Sequence, residues 1–111
     1  MSLVNLFNVP RTPAELLVWS FHHADQHTQI IQSIANQKNV ALVPYVLDPI
    51  PPADMANWLR RHQTAHDAFN AELNAAGQDL TSIDFGKPEQ LVAWIEIHAA
   101  EHLNAANALR I

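Results

Sequence analysis

The chain has no cysteine, which removes both a disulfide framework and a thiolate metal site. It has no apolar run approaching the ~20 residues needed to span a bilayer, so no membrane partner is expected. Met1 to Arg11 lack the basic start and continuous apolar stretch of a secretion signal, and the expected location is intracellular. Basic residues are scarce and scattered, six against eleven acidic ones, for a net charge of −5. That balance excludes a broad phosphate-binding surface, and no specific nucleic-acid binding is expected. Glycine occurs only twice, and with abundant alanine this favours helix over sheet. A length of 111 residues suits one domain over 1–111, enough to bury roughly two-thirds of the unfolded surface.

What remains is strongly helical in pattern. Thr12-Pro13-Ala14-Glu15 reads as a capping box with proline at the first helical position. Apolar residues then recur in steps of three and four to about Asn36, while Asp25, Gln26, Gln29, Gln32 and Ser33 fill the opposite face. Val40 to Leu47 is apolar and extended in character. Pro44 interrupts it and Asp48-Pro49-Ile50-Pro51-Pro52 follows, which predicts a stiff strap. A second helix is expected from Pro52 or Ala53 to a left-handed cap at Gly77. Pro88 opens a third. The predicted fold is mainly α: a three-helix bundle over about 13–36, 53–76 and 88–109, with an extended N-terminal arm and a proline-rich strap between the first two helices.

The three helices carry one repeat. The first places Leu16, Trp19, His23, His27, Ile30 and Ile34 at steps of three, four, four, three and four. The second repeats these steps with Met55, Trp58, His62, His66, Phe69 and Leu73. The third does so with Leu91, Trp94, His98, His102, Ala105 and Leu109. All three tryptophans and six of the seven histidines obey the pattern; His22 alone falls on a polar face. At 100° per residue these positions form one stripe per helix, and the stripes bury each other in a bundle.

Two histidines four apart on a helix project together and can chelate one ion, and imidazoles from two helices suit zinc, copper, nickel or iron. His62, His66, His98 and His102, central in their arcs, are the first candidates. His23 and His27, toward one side of theirs, are the second. Each ligating ring needs a partner for its other nitrogen, and Asp25, Asp67, Glu96 and Glu101 lie near enough to serve. The competing expectation is a polar layer in the core, with imidazoles bonding one another, backbone carbonyls or water and stacking on the tryptophan one turn earlier. On that reading there is no cofactor; on the other it is a transition-metal ion such as zinc.

Other strings carry less. His98-Ala99-Ala100-Glu101-His102 matches the H-x-x-E-H pattern of one zinc peptidase class, but only nine residues follow for the further ligand that class needs. Asp84-Phe85-Gly86 copies a kinase triplet without the rest of a kinase. Arg60 and Arg61 lie off the stripe on a solvated face.

Trp58-Leu59-Arg60-Arg61-His62-Gln63-Thr64-Ala65-His66, then Asp79-Leu80, Asp84-Phe85 and Trp94-Ile95 with His98 and His102, resembles small proteins encoded by tailed bacteriophages. The resemblance covers the C-terminal half and implies a setting rather than an activity. That setting is the host cytoplasm during assembly and then the virion, with other virion proteins or further copies of the chain as partners. The histidines are also similar to those of DinB-like and hemerythrin-like bundles, but three helices with three identical pairs let no ligand role be carried across. The function expected is a non-enzymatic structural or interaction module of head, tail or connector. The rival is a metal-dependent enzyme with His62, His66, His98 and His102 as ligands and a neighbouring carboxylate as base, which needs an open coordination position.

Overall fold

The structure, a computed structural model, describes residues 4–41, 53–84 and 86–111. The strap expected beyond Ala41 lies outside them, as does Phe85. The described residues form four helices: α1 (Val4–Phe7), α2 (Pro13–Lys38), α3 (Met55–Glu72) and α4 (Pro88–Leu109). The three long ones form the expected bundle, and no strand occurs among the described residues. No described helix is long and apolar enough to cross a membrane. The arm differs from the extended segment expected. It closes one helical turn, α1, which brings Leu6 into full burial against α2 and α4.

Local chemistry sets the helix ends. The Thr12 side chain accepts from the Glu15 amide at 3.1 Å, and the Glu15 carboxylate reaches back to the Arg11 amide at 3.0 Å. Asp54 caps α3 by accepting from the Asn57 amide at 3.1 Å. The second helix is shorter than expected, because the left-handed residue after it is Asn74 (φ 52°) and not Gly77. Asparagine tolerates that conformation. Gly77 leaves room instead: a Cβ there would lie 2.9 Å from the Asn70 side-chain nitrogen, which would have to shift.

All three long helices run parallel. One apolar cluster gathers Trp19, Trp58 and Trp94 from their early turns, with Leu6, Leu59, Leu80, Ile95 and Ala99. The other gathers Ile30, Ile34, Phe69, Ala105 and Leu109 from their late turns. A tight turn cannot join parallel neighbours. The 18 residues of α3 span about 27 Å, and the chain from Leu73 to Lys87 returns over that length. This return is pinned to the bundle. The Gln63 side chain accepts from the Leu80 amide at 2.7 Å and donates to the Gln78 carbonyl at 3.2 Å. The Trp94 indole N–H donates to the Leu80 carbonyl at 2.8 Å. Between the two clusters, the common register places a layer of six fully buried histidines. The apolar core is thus cut in two.

Candidate metal centre

His23, His27, His62, His66, His98 and His102 each contribute one ring nitrogen, and these six atoms all lie within 4.8 Å of one another. The four residues favoured by the sequence come together as expected. His23 and His27 join them on equal terms, and His22 stays outside the cluster. The Nε2 atoms of His23, His62 and His98 form a triangle with sides of 2.9–3.0 Å, and His27 Nε2 lies 3.0 Å from His23 Nε2.

Hydrogen bonding alone does not account for this convergence. A neutral imidazole nitrogen offers one in-plane site, either a hydrogen or a lone pair. Among these four Nε2 atoms at most two good N–H···N bonds can form, although four contacts exist. The Nε2 atoms of His66 and His102 are buried with no hydrogen-bond partner among the described residues. Each such atom costs about 1–3 kcal/mol if left unsatisfied. A central cation accepts every lone pair at once, so the donor set fits a metal ion.

Two rings are fixed in the tautomer that metal binding needs. His66 Nδ1–H donates to Glu101 Oε1 and His102 Nδ1–H donates to Gln26 Oε1, both at 3.2 Å. Each ring therefore presents a bare Nε2 to the centre. Three of the other four rings, each the first of its pair, are held by stacking. Trp19 lies on His23, Trp58 on His62 and Trp94 on His98, at centroid distances of 4.6–4.9 Å and interplanar angles of 7–12°. The same step of four residues produces the same stack on each helix.

Electrostatics keep the rings neutral. Burial pushes His23, His27, His62, His98 and His102 well below the ordinary imidazole value, and the neighbouring histidines add to the effect. Burial lowers His66 too, but the hydrogen bond and charge of Glu101 oppose it. For Glu101 itself burial pushes upward. Hydrogen bonds from His66, Asn70 and the Gln78 amide outweigh that and hold the carboxyl below its usual range.

Of the four carboxylates expected near the rings, only Glu101 reaches one. Asp67 accepts from Gln63 and Asp25 from Gln29, both on the exterior, and Glu96 is exposed. Both Glu101 oxygens are engaged, one by His66 and Asn70 and the other by the Gln78 amide. Glu101 thereby ties the His66 ring to Asn70 and to the segment that follows α3. Gln26 corrects the sequence reading: it was placed on the polar face, yet it is buried and serves His102. The signal was present, since Gln26 and Glu101 both stand seven residues after their tryptophan. Ala65 holds the equivalent place in α3.

Replacing Glu101 with alanine is expected to lower metal affinity about 10–100-fold, as losing such a ring partner does elsewhere. Competition against a chromophoric chelator measures it. Unchanged affinity would mean that Glu101 secures only the return segment.

Compared with known proteins, the chain matches no family model, and no curated protein or solved structure matches it.

Proposed function

We propose that this chain is a non-enzymatic structural module whose core is organised by one transition-metal ion. His23, His27, His62, His66, His98 and His102 hold the ion, which joins the two apolar halves of the bundle. The observation that carries this reading is the convergence of six buried ring nitrogens within 4.8 Å. Imidazole suits zinc, copper, nickel and iron alike, so the ligand type leaves the ion open among these. The enzyme alternative requires a vacant position for substrate or water. Here His23 and His27 bring two further donors to the four that reading assumed, which favours the structural role.

The setting proposed is a phage particle, on the strength of the resemblance in the C-terminal half. Val18 (54% exposed) and Phe21 (58%) on α2, with Leu17 beside them, supply apolar surface for a second copy or another particle component.

The three tryptophans stacked on the cluster provide the readout. Adding nickel(II) or cobalt(II) to metal-stripped protein is expected to quench indole fluorescence and to saturate at one ion per chain. A His62→Ala, His98→Ala double variant should lose the saturable phase. If the parent chain shows no saturable change with nickel, cobalt, zinc or iron(II), the reading is wrong.

A further inference from the structure

The distances between the donor atoms carry information beyond the presence of an ion. With metal–nitrogen bonds of about 2.1 Å, a tetrahedral ligand set has edges of about 3.4 Å. An octahedral set with the same bonds has adjacent edges of about 3.0 Å and opposite corners about 4.2 Å apart. The edges found here are 2.9–3.0 Å, and the whole set of six lies within 4.8 Å. Three of those edges close one triangle, His23–His62–His98, with one corner from each long helix. The second residue of each pair, His27, His66 and His102, lies one turn further along, and its ring nitrogen falls within the same 4.8 Å. A triangle with these edges matches one face of an octahedron, and the three further nitrogens are the donors available for the opposite face. Three parallel helices, each giving a histidine pair at the same step, generate that arrangement directly.

We infer that the six histidines form a closed octahedral centre that selects a divalent ion favouring six nitrogen ligands, of the iron(II), cobalt(II) or nickel(II) type, over zinc, and that excludes small anions from the metal. The inference rests on the function proposed above and narrows it. Zinc in structural protein sites is almost always four-coordinate and tetrahedral, and here it forfeits that preference. All six ligands are neutral in their metal-bound form, so an added ion keeps its full charge inside an apolar core. This favours the divalent over the trivalent state of iron. With every position filled by protein, azide or thiocyanate has no place to coordinate.

Cobalt(II) tests both halves, because its visible absorption reports geometry. Octahedral cobalt is pale pink with weak bands, whereas tetrahedral cobalt is intensely blue. Cobalt-loaded protein is expected to show the weak pink spectrum, unchanged by azide or thiocyanate. A His27→Ala variant should open one position, so that azide then shifts its spectrum. If that variant does not fold, the spectrum and anion response of the parent decide the matter. In a competition with equal iron(II) and zinc under anaerobic conditions, iron is expected to predominate in the bound fraction. An intense blue spectrum, an anion-dependent change in the parent, or zinc predominance would overturn the inference while leaving metal binding intact. Failure of cobalt, iron and zinc to bind at all would instead remove the function on which it rests.

Discussion

Stripping the metal is expected to lower the thermal midpoint of the domain by roughly 15 °C or more. An ion present at a thousandfold excess over its dissociation constant stabilises the folded state by about 4 kcal/mol. For a domain of this size each kcal/mol moves the midpoint by about 4 °C. The structure gives reasons to expect at least that much. Six buried rings separate the Trp19–Trp58–Trp94 cluster from the Ile30–Phe69–Leu109 cluster. Without a cation, Nε2 atoms 2.9–3.0 Å apart face each other in more contacts than N–H···N bonds can fill. The rings must then turn aside or admit water, and the two halves of the core lose their join. Circular dichroism melts of the metal-stripped and reloaded protein make the comparison. Identical midpoints would mean that the histidine layer is stable on its own and that no ion organises it.

Mild acid is expected to unfold the protein. The five histidines driven furthest down by burial and by one another have folded values well below the ordinary value of about 6.5. Above that value the rings are neutral in both states and their contribution is fully present. Below it the unfolded chain takes up protons that the folded chain refuses, so stability is lost as pH falls from about 6.5 toward the depressed folded values. Each such histidine contributes up to about 1.4 kcal/mol per pH unit. Several acting together exceed the stability of an ordinary domain within a unit or two. A bound ion keeps the sign and steepens the fall, because protons and metal compete for the same lone pairs. His66 is lowered less than the rest, since Glu101 opposes the burial effect, so it takes its proton early in the descent. Denaturant midpoints from about pH 8 to pH 5, beside a His62→Gln, His98→Gln variant with two fewer titrating rings, measure the slope. A flat profile in the parent would place the rings in water rather than in a dry core.

Much of this was legible in the residue spacing. One step pattern, repeated around Trp19, Trp58 and Trp94, placed the helices, their buried faces and the six clustered histidines. It also held the helix direction, because identical N-to-C order in three stripes can meet layer by layer only if the helices run parallel. What spacing could not give was helix rotation within the bundle. That angle decides that Glu101, and not Asp67 or Glu96, reaches a ring nitrogen. It also carries Gln26 from the rim of its stripe to His102. For the same reason spacing set His23 and His27 toward the side of one helical arc, whereas in the bundle they lie in the cluster with the other four. The end of α3 was misjudged because Gly77 is the commoner left-handed residue, whereas Asn74 takes that conformation and Gly77 makes room for Asn70.

The central claim, that six histidines of one chain hold one ion, is tested most directly by elemental analysis of protein purified without a histidine tag and dialysed against metal-free buffer. One transition-metal ion per chain is expected, retained through dialysis and lost when His62 and His98 are both replaced by alanine. Only trace metal in the parent chain, persisting after growth with added iron, nickel and zinc, would contradict it and leave the cluster a neutral polar layer in the core.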